Sequence, residues 1–206
     1  KQMTKLTESI LYIKVGNLGF ERTWMPRLKA NAPHTTIVDA SEGIAAGEDD
    51  DPHTWMSAKN ALVIARNIYN AVKQINAKDS TVYKRRLDSL TNVINATDRY
   101  IREQTSKAQC KSFVIYHPAL TYFASEYGLE QIAVEEHDRE PSAADLQRII
   151  TTARQKGIKT MFIQKEFANR NVDIIADAIG ATKVEINPLG YDWNREMRRV
   201  ELGIRN

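Results

Sequence analysis

Short apolar runs alternate with longer stretches of helical spacing throughout the second half of the chain. The runs predict strands at 112–116, 131–135, 160–164 and 183–186, and the intervals between them predict helices at 118–127, 143–156 and 171–179. A glycine follows each of these helices, Ser142 suits an N-cap, and Pro118 suits a first helical position. Strands that alternate with helices of this length predict a parallel sheet with right-handed crossovers.

The middle of the chain predicts two helices. No Gly or Pro occurs between His53 and His117, and one apolar stripe at helical spacing runs from Ala61 to Ile75. A second stripe predicts a helix from Ser80 to Ser106, roughly 40 Å long at 1.5 Å per residue. A coiled-coil arm is the alternative, but the stripe lacks sustained heptads. With no Gly or Pro at which to kink, we expect a single rigid connector.

The front of the chain supplies fewer elements. Residues 1–9 resemble the end of a helix, 9–15 and 35–39 predict strands, and 20–30 predict a short helix that Pro26 breaks or kinks. We therefore divide the chain into an N-terminal lobe at 1–79, a connecting helix at 80–107 and a C-terminal α/β lobe at 108–206. We expect the first lobe to be incomplete, with at least one strand–helix unit upstream; a small appendage is the alternative.

Composition narrows the class of protein only slightly. The net charge is only +3 over 206 residues, and no run of Lys and Arg is longer than three residues, so no nucleic-acid partner is expected. No apolar stretch approaches the roughly 20 residues that span a bilayer. The first residues show no export signal, and we expect any such signal to have been removed or to lie outside this sequence. Cys110 is the only cysteine, which excludes an internal disulfide.

Polar side chains follow the predicted strands at the edge where parallel sheets bind ligands. They are His117, the run Glu135-Glu136-His137-Asp138, Gln164 with Glu166, and Asn187; His53 is a further candidate. Imidazole with oxygen donors suits zinc, whereas manganese prefers more oxygen. The alternatives are hydrogen-bonded structural histidines, solvated charged loops and, for Asn187, an ordinary turn.

Five ordered motifs resemble the metal-specific solute-binding proteins of ABC importers. Residues 51–56, DPHTWM, resemble the DPHxW segment of that family, and 116–129 resemble its second histidine segment. The other three matches are GNLGFE at 16–21, EPS at 140–142 and NPLG at 187–190. The match covers nearly the whole chain, so the chain is identified as a member of this family.

The resemblance implies a fold and a function. The fold is two α/β lobes joined by one long rigid helix, with the metal bound in the cleft between them. His53 and His117 are implied as metal ligands, one from each lobe, with Asn187 as a third. The implied role is capture of zinc, favoured over manganese, as the transported ligand for a membrane permease. The protein is expected to be a monomer in the periplasm or anchored to the outer face of the cytoplasmic membrane.

Three departures from the family pattern affect the ligand set. The first histidine of the family belongs to a segment upstream of residue 1. Asn187 stands where the family usually has aspartate. The EPS alignment places Ala144 and Ile132 at the two usual positions of the middle ligand, where neither binds a metal; His137 is the nearest substitute.

Two other functions remain open at this point. A metal-dependent hydrolase would use a nearby Glu to activate water, although the sequence contains no HExxH motif. A surface adhesin or sensor could keep the fold with a degraded metal site. Binding and delivery without catalysis is the function we expect.

Overall fold

The computed structural model describes residues 5–6, 8–47, 51–135, 139–167 and 169–205. The chain divides into two compact units, 1–94 and 95–206. The boundary falls within a long helix, and so the separate connecting segment at 80–107 stays a prediction. The helix end predicted at 1–9 lies mostly outside the described residues.

A two-stranded parallel sheet forms the start of unit 1–94. Strand β1 (Leu11–Lys14) pairs with β2 (Thr36–Asp39), and helix α1 (Gly19–Asn31) connects them. The register places Leu11 opposite Thr36 and Lys14 opposite Asp39. Both strands lie inside the predicted ranges.

Of the break or kink predicted in α1 at Pro26, the break is wrong. The helix continues through Pro26 from Gly19 to Asn31. Proline removes one backbone donor, the one that would bond to the carbonyl four residues earlier, at Arg22. Both Pro26 and Arg22 are exposed, so water can satisfy that carbonyl and the helix tolerates the loss.

The turn between β1 and α1 is held by a buried carboxylate. Glu21 is 2% exposed, and its two oxygens accept the backbone N–H groups of Val15 and Gly16 at 2.7 and 2.8 Å. Gly16 has φ +133°, which side-chain-bearing residues rarely adopt. Burial raises the pKa of Tyr12, and the negative charge of Glu21 raises it further. The last residue of the GNLGFE motif therefore stabilises the turn that Gly16 makes possible.

Two helices fill the middle of the chain, as predicted. Helix α2 (Ala58–Ile75) begins after Ser57, whose hydroxyl accepts the Asn60 N–H at 3.1 Å. After a 3₁₀ turn at Ala77–Asp79, helix α3 runs from Ser80 to Ser106, the same bounds that the apolar stripe predicts.

Four parallel strands form the sheet of unit 95–206. They are β3 (Ser112–Ile115), β4 (Glu130–Ala133), β5 (Thr160–Gln164) and β6 (Thr182–Ile186), in the spatial order β4-β3-β5-β6. Helices α4 (Thr121–Tyr127), α5 (Ala143–Gln155) and α6 (Arg170–Ile179) connect them in turn. The chain therefore has an α/β fold with parallel sheets and a long helix, as predicted.

Most of the predicted helix caps are present, and one is not. Ser142 and Asp145 form a reciprocal capping box on α5, and Gly128 and Gly180 end α4 and α6 with φ +65° and +61°. Pro118, however, is not the first residue of a helix, because α4 begins at Thr121. Gln131 on β4 accepts the Leu120 N–H at 2.9 Å and donates to the Thr121 hydroxyl at 3.0 Å. These tertiary bonds favour the later start.

Unit 95–206 ends with a helix that was not predicted from the sequence. Helix α7 (Trp193–Arg205) buries Met197, Val200 and Ile204 at helical spacing. The buried Gly203 lets it approach β5, because a Cβ at that position would lie 2.6 Å from Cε1 of Phe162. None of the helices among the described residues has both the length and the apolar character to cross a membrane.

The C-terminal part of helix α3 is tied to the rest of unit 95–206 by polar contacts. The Tyr127 hydroxyl donates to Asp98 at 3.1 Å, and Arg102 pairs with both Asp98 and Glu126. Burial raises the pKa of Tyr127, and the charges of Glu126 and Asp98 raise it further. The phenol therefore stays protonated and remains a hydrogen-bond donor to Asp98.

Candidate metal centre

His53 lies in unit 1–94, in the loop before α2, and a carboxylate holds its ring. The Nδ1 atom lies 2.6 Å from Oδ1 of Asp51, and the same oxygen accepts the His53 backbone N–H at 2.9 Å. The ring of Trp55 packs beside the imidazole, with centroids 5.3 Å apart. The side chains of His53 and Asp51 are 14% and 5% exposed.

The contact between Asp51 and His53 was not among the sequence-based predictions. A signal was available, because an Asp side chain readily bonds the backbone two residues later, and Pro52 restricts the chain between the two residues. The DPH segment is therefore a local unit in which the aspartate orients the histidine.

His117 follows β3 in unit 95–206 and is held on three sides. Its Nδ1 lies 2.8 Å from Oε2 of Glu135, and its ring stacks on Phe167 with centroids 4.4 Å apart and an interplanar angle of 5°. The Gln164 amide donates to the His117 backbone carbonyl at 3.1 Å. Two of the predicted candidates, Glu135 and Gln164, therefore contact His117, and Phe167 is an addition that the sequence analysis missed.

The strand order explains this grouping. Glu135 follows β4, His117 follows β3, and Gln164 ends β5, and these three strands are neighbours in the sheet. Carboxyl ends of parallel strands meet at one edge. Glu135 and Gln164, which are 18 and 47 positions away from His117 in the sequence, thus come within hydrogen-bonding distance of it.

Asn187 follows β6 at the far end of the same sheet edge, within a tight turn. Its side-chain oxygen accepts the Leu189 N–H at 3.1 Å, and its backbone N–H donates to Glu196 at 3.0 Å. A Cβ at Gly190 would lie 2.8 Å from Cγ of Glu196 and 3.0 Å from the backbone oxygen of Asn187, so a larger residue would force the turn to shift. The amide oxygen of Asn187 therefore takes part in the turn that the sequence also suggested.

Other candidates are outside the described residues or carry no described ligand geometry. Glu136, His137 and Asp138 lie outside the described ranges, and Glu166 belongs to a 3₁₀ turn at Lys165–Phe167. Over the described part of the chain, no three His, Cys, Asp or Glu residues are grouped as a metal site. His53 and His117 each contact a carboxylate of their own unit, Asp51 and Glu135 respectively.

The family is decided by a match along almost the full length. The profile of the family described as "Zinc-uptake complex component A periplasmic" matches residues 1–197. The chain belongs to the ZnuA family. A crystal structure of ZnuA superimposes with a TM-score of 0.93 at 28% identity, covering all of this chain and 82% of that one.

Two curated relatives of this ZnuA family member carry zinc in their names. The chain is 26% identical to a "High-affinity zinc uptake system protein ZnuA" from Bacillus subtilis (strain 168), over 92% of its own length. It is 25% identical to a "Zinc-binding protein AdcA" from Streptococcus pyogenes serotype M6, over 72% of its length. The chain spans 66% and 29% of the lengths of these two proteins.

Proposed function

We propose that this chain captures one zinc ion outside the cytoplasmic membrane and delivers it to the permease of an ABC importer. The observation that carries the proposal is the family match over residues 1–197. The names of the relatives, which refer to zinc uptake and zinc binding, favour zinc as the cargo. We also propose that the protein acts as a monomer and that its partners are the permease and an associated ATPase.

The proposed ligands are His53 and His117, with Asn187 as a weaker third. A carboxylate beside each Nδ1 is the environment that metal-ligating histidines commonly have. Two imidazoles with oxygen donors suit a borderline cation such as zinc better than manganese. We also propose the lobe boundaries 1–79, 80–107 and 108–206, with the helix between the lobes as a rigid connector.

Calorimetric titration with zinc and with manganese tests the function. We expect one zinc ion per chain and weaker binding of manganese. We also expect no turnover of ester or phosphate substrates by the zinc-loaded protein, because the proposed role ends at binding and release. Tighter binding of manganese than of zinc would assign the other cargo, and zinc-dependent hydrolysis would contradict the proposal.

Replacing Asn187 by Asp should tighten zinc binding. The Asn187 oxygen already accepts the Leu189 N–H, whereas aspartate can keep that bond with one oxygen and offer a second, charged one to the ion. We expect a gain of roughly tenfold in affinity, about 1.4 kcal/mol. Titration of both proteins measures it.

Asn31→Asp is the matched control for this prediction. It adds the same charge at an exposed position at the end of α1 and should leave zinc affinity within about twofold, because solvent screens distant surface charges. Equal affinities for the native chain and Asn187→Asp would remove Asn187 from the proposed ligand set.

A further inference from the structure

We propose that Glu135 is a positioning residue that selects Nε2 of His117 as the nitrogen that binds zinc. The inference rests on the proposed function, in which His117 is a ligand, and adds a residue to which that function assigns no role. Its basis is the 2.8 Å contact between Oε2 of Glu135 and Nδ1 of His117.

The contact determines which ring nitrogen carries the proton. A carboxylate accepts hydrogen bonds and has none to donate, so Nδ1 must be the N–H of a neutral imidazole in this pair. The lone pair that can bind a cation then belongs to Nε2. Without Glu135 the two neutral tautomers would compete, and part of the population would present an N–H where zinc needs a lone pair.

The residues around the His117 ring also fix its orientation. The ring of Phe167 lies parallel to the imidazole at 4.4 Å, which fixes the ring plane. The Gln164 amide bonds the His117 carbonyl at 3.1 Å, which fixes the backbone from which the ring projects. With the plane fixed, only a 180° flip about the Cβ–Cγ bond remains, and the Glu135 contact selects the orientation in which Nδ1 faces Glu135 and Nε2 points away from it.

The effect of Glu135 on zinc affinity should resemble that of other residues that hydrogen-bond to a metal-binding histidine without touching the metal. Removing such a partner weakens metal binding by about 10–100-fold. A ligand in its own right would act on the ion even without His117, whereas a positioning residue acts only through the ring. This difference makes the proposal testable.

The first measurement uses the zinc-free protein. Long-range ¹H–¹⁵N NMR of the histidine rings should show His117 as the Nδ1–H tautomer in the native chain and as a mixture in Glu135→Ala. Glu135→Gln preserves the side-chain volume and an acceptor oxygen, and so should retain most of the tautomer preference. An unchanged tautomer together with unchanged affinity overturns the proposal, whether it is seen in a folded Glu135→Ala or, if that variant does not fold, in Glu135→Leu, which also lacks an acceptor oxygen.

The second measurement is zinc affinity in a double-mutant cycle. We expect Glu135→Ala to lose about 10–100-fold in affinity and Glu135→Gln to lose less. In a His117→Ala background, Glu135→Ala should change the residual affinity by less than about twofold, because the ring through which it acts is gone. A full loss in that background would make Glu135 a ligand and overturn the positioning role.

A matched control lies at the start of β4, the strand that Glu135 follows. Glu130→Gln changes an exposed carboxylate at the start of β4, where it pairs with Lys156, and should leave both the tautomer and the affinity unchanged. If the native chain bound no zinc, the proposed function would fail, yet the tautomer measurement would still decide whether Glu135 sets the ring. The two failures are therefore distinguishable.

Discussion

His53→Ala and His117→Ala should each reduce zinc affinity by about 100-fold or more, which corresponds to ~2.8 kcal/mol. Each substitution removes one of the two proposed imidazole donors, and the oxygen ligands that remain are poorer partners for zinc. Because both rings would bind the same ion, the double variant should be little worse than either single one. The losses would then be strongly non-additive.

Calorimetry and thermal unfolding check this prediction independently. Zinc at 100 times its dissociation constant should stabilise the native chain by about 2.7 kcal/mol, and the variants should lose most of that gain. His34→Ala is the control, since His34 is an exposed histidine with no proposed role. Fully additive losses together with two ions per native chain would mean that the histidines serve separate sites.

Gly203→Val should destabilise unit 95–206 by roughly 3 kcal/mol, at the upper end of what overpacking costs. A Cβ at Gly203 would lie 2.6 Å from Cε1 and 2.8 Å from Cζ of Phe162, and 3.4 Å from Cγ2 of Val184. Phe162 is itself fully buried on β5, so its ring has no open space into which to move. Helix α7 would have to shift away from the sheet.

Gly203→Ala and Gly19→Ala complete the test by urea denaturation. Gly203→Ala gains about 1 kcal/mol of helix propensity, which offsets only part of the clash, and should be destabilised less than Gly203→Val. Gly19 begins α1 with nothing within 4 Å of an added Cβ, so Gly19→Ala should change stability by less than about 0.5 kcal/mol. Equal midpoints for the native chain and Gly203→Val would contradict the close approach of α7 to β5.

Local pattern was sufficient for most of the secondary structure. The bounds of α3 at Ser80–Ser106 and of β5 at Thr160–Gln164 agree with the predicted ones, because periodicity and chain breakers act over a few neighbouring residues. The alternation of strands and helices also predicted the parallel sheet. These features need no information about contacts that are distant in the sequence.

The sequence-based predictions are wrong where contacts between residues distant in the sequence determine the structure. Helix α4 begins at Thr121 rather than Pro118 because Gln131, ten residues further on, bonds its first turn. Helix α7 was missed because many charged residues and Gly203 lie between its apolar residues. Gly203 is needed there because it lets the helix pack closely against Phe162. Neither contact can be read from the spacing of apolar positions.

The same division applies to the candidate site. The sequence by itself determined the residue types, a DPH segment and a histidine after β3, together with the family that those motifs indicate. Only the tertiary structure paired Glu135 with His117 and stacked Phe167 on its ring. The reason is physical: the order β4-β3-β5 decides which strand ends are neighbours, and that order follows from how the helices pack the sheet rather than from the order of residues in the chain.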